Sequence, residues 1–278
     1  MRIGRYSRSQ VAKKYLRFLF LSLRASFGSG GKVATATLRT KELLVSTLQI
    51  DRKTYRLTLE QYMPEPQKKD LIVLHFTAGT SASGAFASWT TPIKGKQQRV
   101  ATAYVVDLDG TVYEMFPPEA WAYHLGLTAA ENPYWVNDRR SIGIEIVNPG
   151  PLRFDTADAK RLNWYPLNFG VRWCGVDQKD KYVKAAFRGY DYYASFPDVQ
   201  AAAVRDLVAD LTGRFGIAPV LPPAARLNQF DVPYFGKFQG IASHQNFRAD
   251  KADIGPAWDW KALEGRLALP KTALKPAA

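Results

Sequence analysis

Residues 70–76 read DLIVLHF, an unbroken apolar run that ends on a histidine. A strand with one face in water alternates apolar and polar residues, whereas a run apolar on both sides belongs to a strand covered on both faces. The stretch reads as a buried central strand with His75 at its mouth. SIGIEIVN (141–148) reads as another strand, with Ile142, Ile144 and Ile146 on one face and Glu145 on the other. Residues 100–116 form two alternating runs around Asp109-Gly110, which predicts a β-hairpin.

Helical signals lie between and after these strands. TSASGAFASW suggests a short helix of small residues, and Val199, Ala203, Val204, Leu207, Val208, Leu211 and Phe215 recur at helical spacing, with Ser195 placed to cap that helix and Gly216 to end it. Strands and helices alternate without a clear βαβ repeat. The predicted fold class is therefore α/β (α+β mixed), a central mixed β-sheet flanked by helices.

With 278 residues, 46% of them hydrophobic, the chain accommodates one main domain plus appendages. Residues 1–32 carry Arg2, Arg5, Arg8, Lys13, Lys14, Arg17, Arg24 and Lys32 with no acidic residue, and SFGSGG at 26–31 reads as a flexible joint. This basic arm supplies much of the net charge of +13 and points to an anionic surface as partner. The remaining domain is only mildly basic, which argues against specific nucleic-acid binding. Within the arm, the apolar core FLFLSL is shorter than the roughly 7–15 residues of a secretory signal and the roughly 20 of a membrane span. The expectation is a chain without a clean signal peptide or a transmembrane segment.

Residues 33–69 read as a lead-in segment of one or two strands packing on the core, 70–265 as the main domain and 266–278 as a tail. Two stretches look like long-loop insertions: the aromatic-rich 151–194 and the proline-rich 219–240.

Cys174 is the only cysteine, so neither an intrachain disulfide nor a thiolate metal cluster is available. A metal site would have to use His, Asp or Glu, and a catalytic zinc needs three such ligands with a fourth position open. His75, at a strand end, could meet His244 and Asp253 if the loop 245–252 folds back, which would bring Lys251 near the same centre. Each histidine taken alone reads more readily as structural or merely exposed than as a ligand.

Four ordered stretches, LIVLHFTAGT, AYVVDLDGTVYEMFPPEAWAYHLG, SIGIEIVN and HQNFRADKADIGPAWDW, together resemble the N-acetylmuramoyl-L-alanine amidase family, the zinc amidases related to peptidoglycan recognition proteins and T7-type lysozyme. The resemblance runs from residue 70 to about 260. It implies an amidase-like fold, one Zn2+ per chain held by His75, His244 and Asp253, Glu145 as catalytic acid and base, and Lys251 assisting at the reacting carbonyl. It makes His124 a histidine of the substrate groove, where Trp121 and Tyr123 could stack on sugars. The implied reaction is cleavage of the amide between N-acetylmuramic acid and L-alanine in peptidoglycan or muropeptides, at the cell wall, with the basic arm on an anionic envelope. Binding of peptidoglycan without catalysis is the alternative, as in recognition proteins that lose a zinc ligand. The chain departs from the family pattern at Ala103, where many relatives carry histidine, at Thr102, near the position of a tyrosine used by some, and in NFRADKAD, which replaces the usual wording before Asp253.

Overall fold

The apolar run at 71–76 becomes a buried strand, with Leu71, Ile72, Val73 and Leu74 all at 0% exposure. The computed structural model describes residues 48–164 and 171–269, which belong to one compact unit, Leu44–Ala278. The basic arm 1–32, residues 33–47 of the lead-in and residues 270–278 of the tail lie outside the described residues.

In chain order the strands are β1 (Ile50–Asp51), β2 (Leu71–Phe76), β3 (Tyr104–Val106), β4 (Val112–Glu114), β5 (Ser141–Ile146), β6 (Pro151–Phe154), β7 (Arg161–Trp164), β8 (Arg172–Gly175), β9 (Tyr182–Phe187), β10 (Tyr190–Ala194) and β11 (Gly240–Ser243). The helices are α1 (Ala82–Thr90), α2 (Val136–Arg140), α3 (Asp198–Phe215), α4 (Val232–Phe235) and α5 (Trp260–Leu267). Six strands form the central mixed sheet in the order β1-β4-β3-β5-β2-β11. Of these, β3, β5, β2 and β11 run parallel, and β4 pairs antiparallel with β3 as the predicted hairpin. Parallel strands direct their carboxyl ends to one edge, where ligands of such sheets collect. His75 and Glu145 sit directly opposite one another near that edge.

The period-2 geometry sorts side chains between two faces. On one, Ile72, Leu74, Ile142, Ile144, Ile146 and Ile241 pack with Val204, Leu207, Val208 and Leu211 of α3. On the other, Leu71, Val73 and Ala242 pack with Leu125, Phe235 and Phe247. Each such aliphatic side chain contributes about 1.5–3 kcal/mol on full burial, so the strands carrying the site are held from both sides.

The lead-in contributes less regular structure than expected. Its described part holds only the two-residue β1, but Leu57 and Met63 are buried. Helix α3 stops at Gly216, whose φ of 65° suits a residue without Cβ. Its N-cap is Pro197 rather than the expected Ser195, whose backbone N–H instead donates to Lys181. Val199, assigned to the apolar stripe, is exposed, while Gln200 is buried and donates to the carbonyls of Val106 and Val147. A buried glutamine with two good acceptors can displace a valine from the inward position.

The described part of 151–194, expected as a long loop, forms a second sheet in the order β8-β7-β6-β10-β9, antiparallel throughout, and residues 165–170 lie outside the described residues. Its own buried cluster is Leu152, Leu162, Cys174 and Ala194. The 219–240 stretch holds a 3-10 turn at Ala224–Arg226 and α4.

Candidate active site

The chemistry gathers where three neighbouring parallel strands end. His75 is the fifth residue of β2, Glu145 the fifth of β5, and His244 follows β11 directly. Alternation brings Ser141, Gly143 and Glu145 of β5 to the same face as His75. Gly143 is required there by space. A Cβ at this position would lie 2.8 Å from the Thr102 methyl and 3.2 Å from Nδ1 of His124.

A tight turn returns Asp253 to His244. The Gln245 amide donates to the Asp253 carbonyl at 2.7 Å, and the Gln245 side-chain oxygen accepts from the Gly255 amide. Asn246, fully buried, accepts from Ser243 and donates to the carbonyls of Arg226, Leu227 and Gln229. These bonds fix the loop that carries Lys251 and Asp253.

His75 Nδ1, His244 Nδ1 and Asp253 Oδ2 converge, with separations of 3.0, 2.9 and 3.4 Å. All three residues are buried. The hydrogen bonds behind them determine which atoms carry protons. Ser141 Oγ donates to the Asn137 carbonyl at 2.6 Å, so its contact of 2.7 Å with His124 Nε2 must be donated by the imidazole. That leaves His124 Nδ1 bare, and His75 Nε2–H donates to it at 3.0 Å. On the other side His244 Nε2–H donates to the Leu125 carbonyl at 3.0 Å. These tautomers turn two bare Nδ1 atoms toward a carboxylate.

The electrostatics of His75 and His124 agree with neutral rings at those two positions. Burial, and then the neighbouring His244, lower the His75 pKa to about 4. Burial and His75 hold His124 well below the ordinary imidazole value. Burial pushes the Asp253 carboxyl up, but interactions with His244 and His75 outweigh it and keep the group ionised. Three acceptors this close, with no proton among them, repel one another unless a cation lies between them. A tetrahedral shell with bonds of about 2.0–2.2 Å spaces its ligands by roughly 3.3 Å, close to the triangle found here, and the donor set of two imidazoles and a carboxylate suits zinc.

This triangle forms one wall of a cavity of about 360 Å³. Glu145, Lys251, His124, Thr102, Trp89 and Tyr190 are among the residues lining it. Burial, and then the charge of Asp253, raise the Glu145 pKa to about 8, and Lys251 opposes that shift. A carboxyl group with such a value can both accept and release a proton near neutrality. Tyr190 and Pro151 come from the second sheet, and Arg188 in its β9–β10 turn hydrogen-bonds to the Ala249 carbonyl of the Lys251 loop.

Residues 65–256 match the family described as N-acetylmuramoyl-L-alanine amidase. The chain belongs to that family. The amidase match spans every residue of the triangle, Glu145 and Lys251. Solved structures similar to this amidase include a selenomethionine derivative of AmpD, with 16% identity over 79% of this chain and 99% of that one, TM-score 0.46. AmiD from E. coli, in complex with anhydro-N-acetylmuramic acid-L-Ala-D-gamma-Glu-L-Lys, shares 21% identity over 78% of this chain and 65% of that one, TM-score 0.44. The amidase LysC from Clostridium intestinale URNW shares 12% over 81% and 100%, TM-score 0.43. No curated protein matches the chain in sequence.

The structure brings His75, His244, Asp253, Glu145 and Lys251 around one cavity. His124 lines it too, but its ring backs His75 by hydrogen bond. Trp121 and Tyr123, expected in the same groove, line a separate recess. Sequence reading missed the Ser141–His124 relay, the Leu125 carbonyl and the contribution of Trp89. Among the described residues no helix is long and apolar enough to cross a membrane.

Proposed function

We propose that this amidase hydrolyses the amide joining the lactyl group of N-acetylmuramic acid to L-alanine of the peptide stem, in peptidoglycan or muropeptides, with zinc as its metal. The observation that carries the reading is the convergence of two bare imidazole nitrogens and one carboxylate oxygen beside a carboxyl group of raised pKa. His75, His244 and Asp253 would hold the metal. A zinc ion so held supplies Lewis-acid polarisation of a carbonyl and makes a water molecule acidic enough to attack at neutral pH.

The protein's own groups manage the protons. Glu145 accepts a proton from the attacking water as oxygen bonds to the carbonyl carbon. It then delivers that proton to the amide nitrogen as the carbon–nitrogen bond breaks, giving a carboxylic acid and a free amine. Lys251 donates toward the carbonyl oxygen as negative charge gathers on it. His124, Ser141 and the Leu125 carbonyl keep the two ligand rings in the tautomers that the site needs. The cell wall is the site of action, and the basic segment 1–32 takes an anionic envelope surface as its partner.

Incubation of purified peptidoglycan with wild type and with Glu145→Gln tests the assignment through newly released L-alanine amino termini. The wild type releases them, and the isosteric variant keeps its fold and metal while its rate falls by about 10²–10⁴-fold. A variant as fast as the wild type would remove Glu145 from the mechanism.

A further inference from the structure

Residues 133–136 read Pro-Tyr-Trp-Val, and the last three are turned outward at the entrance to α2. Tyr134 is 83% exposed, Trp135 39% and Val136 49%. Single exposed apolar side chains are ordinary, but three large ones in succession form a patch that calls for an explanation. Their backbone adds to the cost. Tyr134 and Trp135 hold φ values of 55° and 53°, the left-handed region that glycine or asparagine adopts with less strain. Tyr134, so exposed, contributes little packing in return.

The turn is nonetheless firmly built. The carbonyl of the fully buried Asn132 accepts from the Trp135 amide, and the Asn132 side chain accepts from the Asn137 amide and donates to the Asp138 carboxylate. Asp138 in turn accepts from the amides of His124 and Leu125 at 2.8 and 3.0 Å. His124 lines the cleavage cavity, so the projecting turn is tied to a wall of the active site. The Trp135 ring centroid lies 5.5 Å from that of Tyr123, which gives the exposed tip an aromatic base. Strain kept in place by so many bonds points to a use for the side chains it displays.

Shape and chemistry together select the partner. A residue as exposed as Tyr134 stands at a projecting tip, which suits insertion into a medium that deforms around it. Tyrosine and tryptophan combine an apolar ring with a polar edge, the combination that settles at the headgroup level of a bilayer. Around the turn Arg139 stands against Glu65 and Glu131, so the tip's own contribution is apolar rather than electrostatic. The chain supplies the electrostatic attraction elsewhere. Its net charge is +13, and the basic residues of 1–32 have no acidic counterpart there, so an anionic lipid surface draws it in.

We infer that residues 134–136 form a membrane-docking wedge that enters the headgroup region of an anionic phospholipid bilayer. Tyr134, Trp135 and Val136 provide the apolar insertion, and the basic charge of the chain provides the long-range attraction. Docking covers the apolar surface that the free protein leaves in water. Because the turn is bonded through Asp138 to His124, docking also holds the cleavage cavity close to the membrane surface. The inference is independent of which amide the enzyme cleaves.

The test sediments the full chain with vesicles of phosphatidylglycerol and phosphatidylethanolamine, at low salt and at about 0.5 M salt, where charge attraction is largely screened. The wild type is compared with a double variant, Tyr134→Ser with Trp135→Ser, and thermal melts verify folding. The wild type binds, and at high salt the double variant partitions about tenfold more weakly. Lipids brominated in the upper acyl chain quench the tryptophan emission of the wild type, and Trp135→Phe loses most of that quenching. A wild type that does not sediment with vesicles, equal partitioning of the double variant, or quenching unchanged in Trp135→Phe overturns the inference. So does a double variant that keeps vesicle binding but no longer sediments with purified peptidoglycan, which would make the turn a wall-binding surface.

Discussion

In the six-stranded sheet, Leu71–Leu74 of β2 are covered on both faces, whereas β9 of the five-stranded sheet has no buried residue and the hydrophobic cluster of its sheet is small, Leu152, Leu162, Cys174 and Ala194. Both sheets reach the cavity, but they supply different things. The central sheet places two candidate ligands and the candidate acid at adjacent strand ends, where packing from both sides fixes each backbone position. The second sheet adds Pro151 and Tyr190 to the wall and one hydrogen bond from Arg188 to the Lys251 loop. Proton transfer and metal binding fail with sub-ångström displacement, while shaping a substrate wall tolerates more. The difference in burial follows the difference in tolerance.

If that contrast holds, the largest effect comes from loosening the end of the central sheet away from the site. Lys69 is buried just before β2, and its ammonium donates to the carbonyls of Ala120, Arg139 and Ser141. Lys69→Met leaves three buried acceptors without a donor and should cost about 3 kcal/mol or more, read from urea unfolding. Burial lowers the Lys69 pKa to about 7 from 10.5. Between those values the unfolded chain binds more protons than the folded one, so the lysine's contribution grows as pH rises from about 7 toward 10.5 and is lost as pH falls back through about 7. Wild-type stability measured against Lys69→Met should climb across that interval. A flat difference would mean that the lysine stays charged in the folded state throughout.

A smaller effect is expected from the hydrogen bonds behind the ligands. His124→Phe removes the acceptor for His75 Nε2–H while filling similar space, and should weaken zinc affinity by about 10–100-fold with the fold retained. Competition with a chromophoric chelator measures this, and unchanged affinity would show that packing alone orients His75. The smallest effect belongs to the second sheet. Arg188→Ala deletes an exposed link to the Ala249 carbonyl and should change stability by less than about 1 kcal/mol, with a rise in KM and zinc content intact. Loss of zinc in Arg188→Ala would erase the contrast between the sheets.

How far the sequence foretold these regions follows from the same physics. The run at 71–76 and the alternation at 141–146 are strong local signals because the strands are long enough to show a period. The His75, His244 and Asp253 cluster was legible because strand mouths and a short histidine-to-aspartate spacing are visible in one dimension. The second sheet was not, since β6, β7 and β8 are four residues each, too short to show a period. Trp121 and Tyr123 were expected in one groove with His124 on the family resemblance, yet residues 121 and 123 oppose 124 in an extended segment. That parity was the available signal. The role of His124 depends on Ser141 and Asn137, which are distant in sequence from His75 and marked by no pattern.

The central claim is that His75 Nδ1, His244 Nδ1 and Asp253 Oδ2 form one zinc site. Elemental analysis of the purified full chain, wild type beside His244→Ala, tests it most directly, with circular dichroism to confirm that both are folded. The account predicts about one zinc per wild-type chain and none retained by the variant, as expected for a three-ligand site. A folded wild type that binds no zinc, or a variant that binds as much as the wild type, would contradict it.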